Sequence, residues 1–75
     1  MDLTKGEFTQ YSIEGRLGLL AIEGKLVAKR RYALTTFFIY RMFDFYVSKA
    51  IINADNSLDA VEIISDEIVN ELFPP

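Results

Sequence analysis

The spacing of apolar residues changes along the chain, and the change separates a helical first third from a strand-rich remainder. Residues 36–47 concentrate aromatic and β-branched side chains, which fit a pleated, half-buried surface, and contain no series of strong helix formers. We therefore expect one strand over residues 35–43, a tight reversal near Asp44, and a second strand over residues 45–53.

The first third has the pattern of one amphipathic helix. Residues 4–7 read Thr-Lys-Gly-Glu, a capping box that begins a helix, and the helix is expected to continue to residue 23. Gly24 then stands where a left-handed residue ends a helix without steric cost. Gly15 and Gly18 each cost a helix about 1 kcal/mol relative to alanine. We expect that close approach of the helix to the aromatic sheet offsets this cost.

After Gly24 the sequence alternates imperfectly between apolar and basic residues, which predicts a strand over residues 25–34 with one basic face. Arg30 falls on the wrong side of this alternation and suggests a bulge or an edge position. The alternative is a continuous helix over residues 4–34. Three glycines within ten residues disfavour that helix.

The last third contains one clear turn and one ambiguous segment. Residues 53–57 hold a cluster of Asn, Asp and Ser, which predicts a turn. Residues 58–65 fit either a strand that pairs with the preceding one or the first half of a helix capped by Ser57, and we favour the hairpin. Ser65 then caps a short final helix over residues 66–73, which the two terminal prolines end.

These elements predict an α+β fold with an N-terminal helix, a three- or four-stranded antiparallel meander and a short C-terminal helix. Both faces of the sheet carry apolar area, so we expect the helices to cover one face and a second subunit to cover part of the other. The chain is therefore predicted to form a homodimer. The residues expected at its interface are Tyr40, Met42, Tyr46 and Ile52, with Lys29 and Arg31 as rim charges.

The length of 75 residues leaves room for one domain, residues 1–75, with a core of marginal size, for which oligomerisation is a common remedy. The absence of cysteine fits a cytoplasmic protein, and residues 1–4 lack the basic start and apolar core of a signal peptide. No uncharged run approaches the roughly 20 apolar residues that a membrane-spanning helix needs. We expect a cytoplasmic protein without a membrane segment.

The net charge of −3 conceals a division of charge along the chain. Residues 1–42 hold seven basic and four acidic residues, whereas residues 43–75 hold one basic and seven acidic residues. We expect two solvated faces that attract one another within the fold or across a dimer. The alternative is an acidic docking face for a basic partner.

Several short segments share the pattern of a known group of proteins. They are Gly24-x-Leu26-Val27-Ala28-x-Arg30-x-Tyr32, Ile39-Tyr40, Phe45-Tyr46-Val47, and an Asn/Asp turn before Leu58-x-x-Val61. Residues 24–65 thereby resemble small uncharacterised bacterial proteins built as a helix plus a four-stranded meander. The resemblance implies a hairpin at residues 53–58, and it implies no activity.

The residue types exclude most catalytic and metal chemistry. Histidine and cysteine are absent, which removes the usual general base, thiol catalysis and the commonest zinc ligands. No serine or threonine lies in a nucleophile-elbow pattern. Residues 55–59 superficially suggest a calcium loop but lack its turn glycine and its terminal glutamate. We expect no enzyme, no metal and no cofactor.

Three functions remain, and the first is the homodimeric, non-catalytic module that presents a surface to another protein. The second is single-stranded nucleic-acid binding through a basic and aromatic sheet face, which the acidic balance of the chain disfavours. Its expected contacts are Arg30, Arg31, Tyr32 and Arg41. The third is an apolar ligand site between helix and sheet, lined by Phe8, Leu19 and Phe45.

Overall fold

Four strands of eight residues each form a single antiparallel sheet. The computed structural model describes residues 3–72, with only the backbone for Leu72. The elements are α1 (Lys5–Thr9), α2 (Ile13–Glu23), β1 (Lys25–Tyr32), β2 (Thr35–Met42), β3 (Phe45–Ile52), β4 (Ser57–Ile64) and α3 (Asp66–Leu72). The strands lie in the order β1-β2-β3-β4. The predicted α+β architecture, an N-terminal helical region, an antiparallel meander and a short C-terminal helix, is confirmed.

The N-terminal helical region is broken in two, so the prediction of one continuous helix over residues 4–23 is wrong. The capping box of α1 is present: the Glu7 amide donates to Thr4 Oγ1 at 3.1 Å and the Thr4 amide donates to Glu7 Oε1 at 3.0 Å. Ser12 caps α2 with a second such bond, from the Gly15 amide to Ser12 Oγ at 3.1 Å. A serine hydroxyl that bonds a nearby amide competes with helix continuation, which explains the break.

Arg16 holds the corner between the two helices. Its guanidinium donates to the Thr9 carbonyl at 2.9 Å and, through Nε, to the Tyr11 carbonyl at 3.1 Å. The same side chain donates to the Val61 carbonyl of β4 at 2.7 Å. These charge-assisted bonds fix both helices against the β4 edge of the sheet.

The helix glycines do not have the roles that the sequence predicted. Gly24 has φ −79° and ψ 145°, which is extended backbone and not the expected left-handed cap. It is close to the preceding turn instead, because a Cβ at Gly24 would lie 2.7 Å from the Leu20 carbonyl oxygen. A Cβ at Gly18 would meet nothing within 4 Å, and one at Gly15 would lie 3.1 Å from Tyr11 Cδ1. Neither glycine therefore allows close approach to the sheet.

The hairpins turn through non-glycine residues in the left-handed region, with φ between 52° and 58°. These residues are Ala33, Phe43 and Asn56. The predicted tight reversal near Asp44 is confirmed, and the strand before it ends at Met42. The irregularity of β1 lies between Leu26 and Ala28, where the pairing with β2 shifts. Of the two explanations suggested for Arg30, the edge position is confirmed because β1 is an edge strand, and the bulge lies between residues 26 and 28 instead.

The ambiguous segment after the third turn is a strand. Residues 57–64 pair antiparallel with β3, which excludes the helical alternative and confirms the hairpin. Ser65 then caps α3 as predicted, because the Ile68 amide donates to Ser65 Oγ at 3.2 Å. Of the predicted final helix over residues 66–73, residue 73 lies outside the described residues.

The strand register assigns each side chain to one of two sheet faces. Face A carries Phe38, Tyr40 and Met42 of β2, paired with Lys49, Val47 and Phe45 of β3. Face B carries Phe37, Ile39 and Arg41 of β2, paired with Ala50, Ser48 and Tyr46 of β3. Helices α1 and α2 pack on one end of face A, and α3 packs against β3 on face B.

The main core lies on face A beneath α1 and α2. Its buried members are Leu3, Phe8, Leu20, Met42, Phe45, Val47 and Val61. Phe8 of α1 and Phe45 of β3 meet edge to face with ring centroids 5.8 Å apart, and both are completely buried. Because the helices occupy this end of face A, the opposite end of face A is left outside the core.

Candidate binding surfaces

Face B contains an open groove between the sheet and α3, with a volume of about 340 Å³. Apolar and small side chains form most of it, and two carboxylates, Asp59 and Glu62, lie on its β4 side. Its other lining residues are Phe37, Ser48, Ala50, Ala60, Ile64 and Ile68. Ile68 of α3 is 43% exposed, so the helix only partly closes the groove.

The uncovered end of face A carries cations around an aromatic ring. Lys29 Nζ lies 5.5 Å and Lys49 Nζ lies 5.0 Å from the centroid of the Phe38 ring. Lys49 Nζ also lies 5.4 Å from the centroid of Tyr40. Arg31 pairs with Thr36 beside Phe38 and is exposed. We call Lys29, Arg31, Phe38, Tyr40 and Lys49 the face A patch.

The charges of the sheet are segregated by strand. Residues 25–52 contain six basic residues and one acidic residue, Asp44, which lies in the turn after β2. Residues 53–72 contain six acidic residues and no basic residue. The β1 edge of the sheet is therefore cationic, and the β4 edge with α3 is anionic.

The structure separates the residues predicted to form a dimer interface. Tyr46 and Ile52 lie half-buried on face B, whereas Tyr40 lies half-buried on face A. Met42 is completely buried in the core because it pairs with Phe45 beneath the helices. The prediction that Met42 lies on an exposed or shared face is therefore wrong. The predicted rim residues, Lys29 and Arg31, are exposed on face A.

The residues predicted to contact nucleic acid also divide between the faces. Arg31 lies on face A, whereas Arg30, Tyr32 and Arg41 share face B through their pairing with Phe37, Thr35 and Lys25. Arg41 is held in place by its own contacts. Its Nε donates to the Phe43 carbonyl at 3.1 Å, and its guanidinium carbon lies 4.9 Å from the Tyr46 ring centroid.

The predicted apolar ligand site between helix and sheet is filled by the protein. Phe8 and Phe45, two of its three predicted lining residues, are in direct ring contact and have no exposed surface. Leu19, the third, packs half-buried against the same core. At these three residues the space between the helices and the sheet is therefore occupied by the core.

Phe38 and Lys49 were not identified from the sequence as binding residues. Their pairing could have been predicted from the reversal at Asp44, because a two-residue turn at positions 43 and 44 pairs residue 42 with residue 45. The same register pairs Phe38 with Lys49 four steps further along the strands.

Within residues 3–72, no group of three or more His, Cys, Asp or Glu side chains is placed to hold a metal ion. No helix of the same region combines the length and apolar character needed to cross a membrane. Hydrogen bonds from Ser57, first from its side chain and then from its backbone amide, lower the pKa of the Asp55 carboxyl.

A comparison of the chain with protein-family models, with curated proteins and with solved structures returns no match. The two faces of the sheet and the distribution of charge are therefore the features that bear on function.

Proposed function

We propose that this protein is a non-catalytic interaction module that acts as a homodimer, in which two copies pack face B against face B. The observation that carries the proposal is the open groove of about 340 Å³ between the sheet and α3. Packing of a second sheet on an apolar sheet face is a standard way to bury such area.

The size of α3 explains why face B needs a further cover. A helix of seven residues is about 10 Å long. Strands of eight residues are about 27 Å long, and the outer strands of a four-stranded sheet lie about 14 Å apart. Ile39, Ser48 and Ala50 on face B are buried, whereas Phe37 and Ile52 stay half-buried. One short helix therefore covers this face only in part.

The charge distribution selects the orientation of the second copy. A two-fold axis that lies between the two faces and runs along the strands places β1 of one copy opposite β4 of the other. Lys25 on the face B side of β1 then approaches the partner copy at the β4 edge, where Asp59 and Glu62 lie. An axis across the strands would instead place β1 opposite β1 and bring like charges together.

The edge strand β1 stays open in this dimer and offers a place for another protein chain. Every residue of β1 except Ala28 is exposed. The β4 edge is different, because Arg16 donates to the Val61 carbonyl there. Four cations on β1 discourage its pairing with a second β1, so an added strand should be acidic.

The absence of histidine and cysteine supports a non-catalytic role. The absence of cysteine also supports our proposal of a cytoplasmic location, where disulfides are rare. Neither a metal nor a cofactor is part of the proposal.

The test is the solution mass by light scattering over a dilution series, with two matched variants. The protein should have twice the monomer mass of 8.6 kDa. Ile52→Lys places a charge on face B and should give a monomer. Ile22→Lys makes the same change at a residue that is 79% exposed on α2 and should leave the dimer intact.

A folded wild-type monomer at all concentrations would overturn the proposal, and so would an Ile52→Lys variant that stays dimeric. An exchange of charges between β1 and β4 tests the orientation of the second copy. Glu62→Lys should weaken the dimer, and Lys25→Glu added to it should recover part of the lost affinity. An axis across the strands predicts no such recovery.

A further inference from the structure

We propose that the face A patch binds single-stranded nucleic acid, with Phe38 and Tyr40 as stacking surfaces and Lys29, Arg31 and Lys49 as phosphate contacts. The proposal does not depend on the homodimer, because face A lies on the opposite side of the sheet from the groove. It also differs from the contact set that the sequence predicted, of which only Arg31 belongs to the patch.

The geometry of the patch combines the two features that sequence-tolerant binding of single strands requires. The first is a pair of aromatic rings, Phe38 and Tyr40, two residues apart on one strand and on one face. The second is a set of cations on both flanking strands: Lys29 and Arg31 on β1, and Lys49 on β3. Bases stack on such rings while the backbone follows the cations.

Within residues 3–71, no carboxylate contacts the ammonium groups of Lys29 and Lys49. Among the described residues, the contacts of Lys29 and Lys49 are those with the rings of Phe38 and Tyr40. Two ammonium groups near one ring repel each other, and the strands that carry them contain no acidic residue. An anionic ligand would relieve this repulsion.

The acidic half of the chain does not oppose a ligand at this position. On β4, Val61 and Ile63 share face A, whereas Asp59 and Glu62 line the groove on face B. The acidic helix α3 also lies on face B. Lys29 and Arg31 lie on β1, about 14 Å from β4, which exceeds the screening length of about 8 Å at physiological ionic strength. Lys49 lies on β3, next to β4, but on the face opposite Asp59 and Glu62. The fold therefore places the three cations of the face A patch on the side of the sheet opposite Asp59, Glu62 and α3.

The aromatic rings favour a nucleic acid over an acidic peptide. An acidic peptide would use the three cations and leave Phe38 and Tyr40 without a role. Bases use the rings as well, because every base has a flat face that stacks on an aromatic side chain. A single strand is required, since a duplex keeps its bases stacked on each other.

The binding experiment uses a fluorescently labelled oligothymidylate and the full chain, followed by fluorescence anisotropy. Three phosphate contacts on a single strand predict a salt slope of about −2. Affinity should therefore fall about 20-fold when the salt concentration rises from about 50 to about 200 mM. Lys29→Gln and Lys49→Gln should each make the slope shallower by about 0.7.

Two further variants distinguish binding at the face A patch from non-specific attraction by the positive charge of the β1 edge. Lys25→Gln removes the same charge from the same strand but on face B, and it should leave the affinity within twofold of wild type. Phe38→Leu keeps every charge and should reduce affinity at least about fivefold, the lower end of the loss of one stacked base. Circular dichroism of each variant verifies that the sheet is retained.

Several results would overturn the proposal. One is the absence of binding at about 50 mM salt, where the phosphate contacts are strongest. Another is an equal loss of affinity for Lys25→Gln and Lys29→Gln, which would indicate that the oligonucleotide is attracted by the overall positive charge of the β1 edge and not by the face A patch. A third is unchanged affinity for Phe38→Leu with equal competition by polyglutamate, which would identify an acidic peptide as the ligand.

Discussion

Replacement of Gly18 by alanine tests whether this side of α2 faces solvent. Gly18 lies in the interior of α2, and a Cβ built there meets nothing within 4 Å. Its φ is not positive, so alanine fits the backbone without strain. Gly18→Ala should therefore stabilise the protein by about 1 kcal/mol, the difference in helix propensity between glycine and alanine.

Urea denaturation measures this gain directly. With an m-value of about 1 kcal/mol/M for so small a protein, the midpoint should rise by about 1 M. The thermal midpoint should rise by about 4–8 °C. The measurement should be made at one protein concentration for all variants, because dimerisation adds to the apparent stability.

The neighbouring glycines provide graded controls. At Gly15 the new Cβ would lie 3.1 Å from Tyr11 Cδ1, so the ring must move and the gain should be smaller than at Gly18. At Gly24 the new Cβ would lie 2.7 Å from the Leu20 carbonyl oxygen, which belongs to the backbone. Gly24→Ala should therefore destabilise the protein, by about 1–3 kcal/mol if it resembles other overpacked sites.

A loss of stability in Gly18→Ala would refute this reasoning. It would mean that Gly18 faces a surface other than solvent, such as a second copy packed on α2. A fall in solution mass of the same variant would identify that copy, and it would also contradict the assignment of the dimer interface to face B.

Three other measurements, two on variants and one on the unchanged protein, test the core, the corner between α1 and α2, and the turn between β3 and β4. Met42→Ala should cost about 2–5 kcal/mol in urea denaturation because Met42 is completely buried, whereas an interface residue would mainly change the dimer affinity. Arg16→Gln removes charge-assisted hydrogen bonds to three carbonyls, including that of Val61. Because these bonds fix the helices to the sheet, amide hydrogen exchange in α1 should become faster. The control variant Lys5→Gln should leave the exchange rates of α1 unchanged. The carboxylate of Asp55 should titrate below the ordinary pKa of about 3.9 in an NMR titration, because the Ser57 side chain and amide bond its charged form. The stabilisation by these hydrogen bonds to Asp55 is present above the unfolded-state pKa and is lost as pH falls through the folded-state pKa. An Asp55 carboxyl with an ordinary pKa would contradict the turn geometry.

The strands could be predicted because their signals are local. Aromatic and β-branched residues between clear turn signals place β2, β3 and β4 within one or two residues of their observed ends. The break before α2 was missed because Ser12 lacks the glutamate three residues later that identifies a capping box; Gly15 stands there instead. A single serine within an apolar pattern is not sufficient to predict the start of a helix.

The faces were harder to predict because they depend on register. Alternation within β2 correctly groups Tyr40 with Met42, and alternation within β3 groups Tyr46 with Ile52. It does not say which group of one strand shares a face with which group of the next. The pairing of Met42 with Phe45 across the turn decides this, and it places Met42 in the core and Phe38 beside Lys49.

The two proposed surfaces constrain each other. Two copies packed face B to face B point their face A patches outwards, in opposite directions, with both sheets and the two α3 helices between them. A short single strand then contacts one patch only, so each copy of a dimer should bind one oligonucleotide independently. Titration with a short oligonucleotide should therefore raise the mass of the dimer along one smooth curve to a limit of two oligonucleotides per dimer, without dissociating it. If the dimer formed through face A instead, the same titration would split it into monomers, because subunit and nucleic acid would compete for Phe38 and Lys49.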